Sequence, residues 1–296
     1  MHKGPKGQGL AVAALLLNAM VWGVSWWPFQ NLQALGLHPL WATALVYGFS
    51  LLAVLAVRPQ AARGWRQHPW LWLLILASGL TNVGFNWAVT IGDVVRVVLL
   101  FYLMPAWSIL IAWWLLGEKP TRRSGLRLVL ALAGVAIVLK KPDTPWPIPE
   151  STADALALMG GFCFALTNAL LRKLHDSPEP ARMLAMFGGG ALMATITALV
   201  GVGLGMMTPF PAVSSAWAPQ VLVLSLAFLV GNVALQYGAA KLTAQTTALV
   251  MLSEIVFASL SAVWLGSAQL SANTLWGGSL IVCAALLAIW PQSKPT

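Results

Sequence analysis

Asn82-Val83-Gly84-Phe85-Asn86-Trp87 is followed 150 residues later by Asn232-Val233-Ala234-Leu235-Gln236-Tyr237, with amide, small residue, amide and aromatic in the same order. Two further stretches repeat in register. Trp114-Leu115-Leu116-Gly117 falls on Val263-Trp264-Leu265-Gly266 at a shift of 149, and Trp22-Gly23-Val24-Ser25 falls on Phe164-Ala165-Leu166-Thr167 at 142. Three matches in one order at a nearly constant offset read as a duplicated unit.

Working outward, each copy lies in an apolar setting. Ten apolar stretches run at about 8–29, 38–57, 70–90, 94–116, 124–140, 154–171, 182–206, 218–238, 244–265 and 270–290. Each approaches the roughly 17 to 25 residues that a helix needs to cross a hydrocarbon core. The fold class read here is all-α, a polytopic membrane protein with ten transmembrane helices. Of 17 Lys and Arg residues, only Arg96, Lys140 and Lys141 lie in one alternate set of gaps; the remaining 14 (17 less 3) lie in the other. By the positive-inside rule both termini are expected in the cytoplasm and the chain in the cell's inner (plasma) membrane. With 59% hydrophobic and 8% charged residues, the basic balance comes from cytoplasmic loops and does not point to nucleic acid. The first stretch runs to Trp26, Trp27 and Pro28 without a small-residue cleavage site, so it reads as a retained helix. Cys163 and Cys283 fall inside apolar stretches and imply no disulfide framework. Trp41, Trp65, Trp70, Trp114, Trp146, Trp217, Trp276 and Trp290 lie near helix ends, as an interfacial belt would place them.

Pro142, Pro145, Pro147 and Pro149 mark an extended linker. The organisation read from this is a first five-helix unit at 1–141, a linker at 142–153 and a second unit at 154–296. Because five is odd, two such units enter the membrane from opposite sides and form an inverted repeat.

Several stretches carry polar stripes. Ser78, Asn82, Asn86 and Thr90 recur every four residues on one side of the third stretch. Asn232 and Gln236 repeat the pattern in the eighth. Asn18, Trp22, Ser25, Trp26 and Phe29 share a face of the first, and Phe164, Thr167, Asn168 and Arg172 a face of the sixth. Unpaired amides in hydrocarbon cost several kcal/mol. The stripes therefore serve either as interhelical hydrogen-bond glue or as the wall of a central chamber. Glu254 lies near the middle of the ninth stretch, where a carboxylate needs a partner, a proton or water. It is read as a structural hydrogen-bonding group, an ammonium receptor or a proton-coupling group. Asp93 and Arg96, three residues apart, read as a local pair. Pro105 has no N–H to offer the carbonyl of Phe101, so it marks a hinge, a site wall or a packing kink, with Tyr102 on the same face.

On the two five-helix units, on LMPAWSILIAWWLLGEKP closed by Gly117-Glu118 and on LSEIVFASLSAVWLG, the chain resembles the EamA-type transporters of the drug/metabolite transporter superfamily, and within them the YddG-type exporters of aromatic and other amino acids. The resemblance implies ten helices, an inverted repeat, a central cavity and alternating access. Two departures stand out. The family's second unit usually reads Glu-Pro-Val and Leu-Gly-Glu where this chain has Glu254-Ile255-Val256 and Leu265-Gly266-Ser267, which moves any helix-breaking role onto Pro105.

Site chemistry ranks the substrates. Nucleotide sugars need cationic groups in the pathway, and no Lys or Arg stands at a helix centre. Organic cations would suit Glu254 and the aromatics. A zwitterionic amino acid suits amides at both its ends and aromatics around its side chain. The substrate-binding set read from the sequence is Trp22, Ser25, Trp26, Asn82, Asn86, Tyr102, Phe164, Asn168, Asn232, Gln236 and Glu254, with Pro105 as hinge. The function read is export of neutral amino acids, aromatic ones included, with protons or a counter-substrate as possible coupling partners; a multidrug carrier is the alternative. An intramembrane enzyme is the rival from another class. His2, His38, His68 and His175 all lie in termini or loops, so a buried metal or Ser-His site is not expected, and neither is any cofactor. Gly201-x-x-x-Gly205 is too weak a signal to set an oligomeric state.

Overall fold

The structure, a computed structural model, describes residues 5–62, 65–117, 122–140, 148–174, 176–239, 241, 250–251, 253–266 and 271–289. Its α-helices in chain order are α1 (Pro5–Val24), α2 (Trp26–Ala34), α3 (Pro39–Val57), α4 (Trp70–Ile91), α5 (Val94–Phe101), α6 (Met104–Leu116), α7 (Arg122–Leu139), α8 (Thr152–Lys173), α9 (Glu179–Gly203), α10 (Ala218–Ala239), α11 (Ser253–Trp264) and α12 (Ala272–Ile289). No strand occurs among the described residues. Every predicted stretch carries a helix. Among the described residues seven spans are long and apolar enough to cross a membrane, with α1–α2 and α5–α6 each counted as one; α7, α11 and α12 contribute shorter apolar segments.

Proline and hydroxyl chemistry set the two breaks. Pro28 cannot donate to the carbonyl of Val24. Ser25 closes the preceding turn tightly, its N–H and its Oγ both donating to the Trp22 carbonyl, at 3.2 and 2.7 Å. Pro105 stands in the first turn of α6, where its missing N–H costs nothing, and α5 ends at Phe101. A Cβ built on Gly161 of α8 would lie 2.5 Å from the Phe101 carbonyl oxygen. The freed carbonyl is therefore covered by a glycine backbone of the other half, in keeping with the rule that broken helices in membranes are tolerated where protein covers the break.

Corresponding helices of the two halves end alike. α6 and α11 are each followed by a left-handed glycine, Gly117 at φ 71° and Gly266 at φ 70°, 149 residues apart. Packing follows the same exchange. α4 packs on α8 and α9, as α10 packs on α1 and α3; α5 and α6 pack on α8, as α11 packs on α1. The pairs α3–α9, α7–α12 and α5–α11 each join corresponding spans. Exchanging the halves leaves this set of neighbours unchanged.

Glycine permits the close crossings. Built Cβ atoms would reach 2.3 Å from the Gly189 carbonyl at Gly79, 2.7 Å from the Leu156 carbonyl at Gly84 and 2.6 Å from the Gly277 carbonyl at Gly134. Around these crossings a buried apolar cluster gathers Phe85, Val94, Val98, Leu99, Ala157, Ala258 and Ile281 from five helices.

Three expectations change. Arg96 does not pair with Asp93: the Asp93 carboxylate caps α5 by accepting from the Arg96 backbone N–H at 2.8 Å, which leaves the guanidinium free to reach Asp154 of α8 at 2.7 Å. Trp41 and Trp217 are buried rather than belted, because Phe210 from the 204–217 connection packs on both, at 5.4 and 6.0 Å between centroids. Ser151 accepts from the Asp154 N–H at 3.0 Å, so α8 begins at Thr152, two residues before the expected start of the second unit. Residues 141–147, with half of that linker and Trp146, and Trp290 lie outside the described residues.

Gly79→Ala forces α4 off α9 and is expected to cost about 1–3 kcal/mol by overpacking. Gly48→Ala on α3, where nothing lies within 4 Å of the added carbon, is expected to be neutral or slightly stabilising. Thermal unfolding in detergent, followed by tryptophan fluorescence, separates the two.

Candidate functional site

A cavity of about 70 Å³ lies where the two halves face each other. The first half contributes Trp22 of α1, Tyr47 of α3, and Ser78, Thr81 and Asn82 of α4. Phe164 and Thr167 of α8, Met186 and Phe187 of α9, and Phe228 and Asn232 of α10 complete it. None of these is charged. Two matched pairs from the repeat line the same space, Trp22 with Phe164 and Asn82 with Asn232.

Its polar side is built around Asn82. The Asn82 Nδ2 donates to the Ser78 carbonyl at 2.8 Å, and its Oδ1 accepts from the Tyr47 hydroxyl. Ser78 and Thr81 return their hydroxyl protons to the Leu74 and Ala77 carbonyls, at 2.7 and 2.8 Å, which satisfies their donors within α4. Thr167 is different. It lines the cavity, it is 2% exposed, and its Oγ1 has no hydrogen-bond partner among the described residues. A buried hydroxyl in that condition costs about 1–3 kcal/mol unless something in the cavity bonds to it. Aromatic edges cover the other walls: Trp22 meets Phe228 at 4.6 Å, and Tyr47 lies 5.8 Å from Phe228 and 6.1 Å from Phe187.

A second polar contact joins the halves at the helix break. The Tyr102 hydroxyl donates to Glu254 Oε2 at 3.0 Å; Tyr102 sits between α5 and α6, and Glu254 in the first turn of α11. Both are buried. Pro105 occupies the place in its half that Glu254 occupies in the other, 149 residues on.

The other expected site residues go elsewhere. Ser25 lines a separate groove of about 580 Å³ between α1–α2 and α10. Trp26 is buried and donates its Nε1 proton to Ser261 Oγ at 2.9 Å, which makes it packing between α2 and α11. Asn86 donates to Thr43 Oγ1 at 3.1 Å, outside the cavity. The α4 stripe thus divides, because a step of four residues advances about 400° and drifts about 40° each time; Ser78 and Asn82 face the cavity while Asn86 has turned towards α3. Asn168 is exposed and lines neither space. Gly160 and Gly161, packed on Phe85 and Phe101, fix the rotation of α8, and that rotation points Thr167 inward and Asn168 about 100° further round. The Gln236 side chain lies outside the described residues.

Tyr47, Thr167, Phe187 and Phe228 were not in the expected set. Thr167 was legible as a member of the α8 polar face, and Tyr47 as one of only 3 tyrosines in the chain. Phe187 and Phe228 stand in apolar runs with no local signal.

Residues 9–140 match the EamA-like transporter family. No curated protein matches the chain. Fifteen solved chains do, among them one described only as "Crystal structure of protein", at 18% identity and a TM-score of 0.58 over 97% of this chain and 96% of that one. That likeness is one of fold, spanning both halves.

Tyr47→Phe leaves the buried Asn82 oxygen without its donor, and the expected loss of stability is about 1–3 kcal/mol. Adding Asn82→Leu removes the stranded acceptor as well, so the double variant should lose less than the sum of the two singles. A double-mutant cycle on thermal unfolding measures this; strict additivity would mean the Tyr47–Asn82 bond contributes nothing.

Proposed function

We propose that this chain is an alternating-access carrier in the plasma membrane, both termini cytoplasmic, that exports neutral amino acids, aromatic ones included, with broad specificity. The observation that carries the reading is the uncharged cavity lined by matched residues of both halves, Trp22 with Phe164 and Asn82 with Asn232. An amide both donates and accepts, so Asn82 and Asn232 can serve the carboxylate and the ammonium of a zwitterion without the binding energy of a full charge. Weak discrimination follows from that chemistry. The match of residues 9–140 to a transporter family and the neighbour pattern that survives exchange of the halves both support a carrier built from an inverted repeat.

The cavity is contracted. Small-molecule pockets usually hold about 300–1,000 Å³, and about 70 Å³ admits a few waters but no phenylalanine. Loading therefore requires helices of the two halves to part, which is the movement a carrier makes and a permanently open pore does not.

Glu254 favours a second reading, export of organic cations, because a buried carboxylate that, among the described residues, accepts one tyrosine hydroxyl bond could pair with an ammonium. In the amino-acid reading the same carboxylate takes a proton or the substrate's ammonium, which couples transport to pH. Overexpression is expected to protect cells from toxic phenylalanine analogues; protection against cationic dyes alone would establish the second reading. Asn82→Leu or Asn232→Leu, which keep bulk and remove hydrogen bonds worth about 1–3 kcal/mol, should lower transport about tenfold or more while membrane insertion is retained. Glu254→Gln should flatten the pH dependence of transport, and a wild-type pH profile in that variant would leave Glu254 a structural role.

A further inference from the structure

Away from the cavity, Arg96 draws three helices together. Its guanidinium donates Nε to Asp154 Oδ1 at 2.7 Å and NH2 to Asp154 Oδ2 at 2.9 Å, a bidentate pair, while NH1 donates to the Val138 carbonyl of α7. Asp154 is 2% exposed and Arg96 20%. The pair crosses from α5 of the first half to α8 of the second, beside connections that carry few basic residues.

We propose that the Arg96–Asp154 pair is a latch that holds the two halves closed at this end of the bundle and parts when the cavity opens there. Both partners sit in first turns that are already fixed. Asp93 caps α5 at the Arg96 N–H and Ser151 caps α8 at the Asp154 N–H, so the pair forms between two rigid helix starts. Directly beneath it lie Val97, Val98, Ala153 and Ala157, all buried in the apolar cluster. A bidentate charge pair whose carboxylate is buried resists separation, because parting the ions would leave Asp154 unpaired where it is shielded from water. Once water reaches Asp154, both ions are hydrated and separation costs little. The contact is thus stable in two arrangements, closed with Asp154 shielded or open with both ions in water.

The backbone permits the change. α5 has 8 residues, and the regular helix is interrupted at the Tyr102–Leu103 turn before α6 begins, which gives α5 a place to pivot with its charge. Asp93 and Glu150 also lie within the field of Arg96. Removing the cation therefore leaves neighbouring carboxylates facing one another, whereas removing the Asp154 charge leaves Arg96 near two others. Loss of Arg96 is expected to open this end more than loss of Asp154.

The role of the latch in a transport cycle rests on the carrier reading, but its test reads conformation and needs no substrate. Ala157, fully buried below the pair, is changed to cysteine in a chain carrying Cys163→Ala and Cys283→Ala, and the purified protein is treated with a charged methanethiosulfonate. Ala194→Cys, equally buried on α9, reports general loosening. With the pair intact both thiols should react slowly. Arg96→Gln should speed reaction at 157 about tenfold, a shift of about 1.4 kcal/mol towards the open form, and leave 194 unchanged. Asp154→Asn should give a smaller rise, and Asp93→Asn, which still caps α5, should give none. The proposal is overturned if Arg96→Gln leaves labelling at 157 at the parent rate, or if 157 and 194 rise together.

Discussion

Backbone contact at glycine between helices of opposite halves is the constraint on which the rest of this structure depends. Inside a hydrocarbon medium, burial of apolar side chains gives helices no reason to associate, and close van der Waals packing and hydrogen bonds must do so. Gly79 against Gly189, Gly84 against the Leu156 carbonyl and Gly160, and Gly134 against Gly277 bring main chains nearer than any side chain would permit. Those crossings fix how far α4 and α8 rotate, and the rotation decides which polar residues face inward. Asn82 and Thr167 line a cavity because of glycines one to two turns away on their own helices.

A helix that crosses a partner in one half has a counterpart crossing in the other, as α4–α8 and α1–α10 do. The left-handed glycines that follow α6 and α11 are 149 residues apart, yet Pro105 and Glu254, at that same spacing, differ in kind. One position breaks a helix, and the other places a carboxylate against Tyr102, so equivalent places in the two halves have taken different tasks.

Much of this was legible in the sequence. The all-helical, membrane-spanning character, the helix break near Pro105 and the placing of Asn82 and Asn232 on helices that line one cavity follow from spacing and composition. What was not legible depends on rotation and on long-range partners. The stripe from Ser78 to Thr90 reads as one face at four-residue spacing, yet the helical drift carries Asn86 to Thr43. Thr167 and Asn168 read as members of one polar face, and only the glycine packing of α8 separates them. Arg96 and Asp154 are 58 residues apart, with Asp93 a nearer decoy that turns out to cap its own helix.

The central claim is that matched residues of the two halves form one site that takes a neutral amino acid. Counterflow in proteoliposomes tests it most directly, with purified protein, vesicles preloaded with unlabelled phenylalanine, and external labelled phenylalanine, ethidium or a nucleotide sugar compared in turn. The account predicts saturable phenylalanine counterflow that threonine competes and that Asn82→Leu abolishes. Movement of ethidium with no phenylalanine counterflow would contradict it.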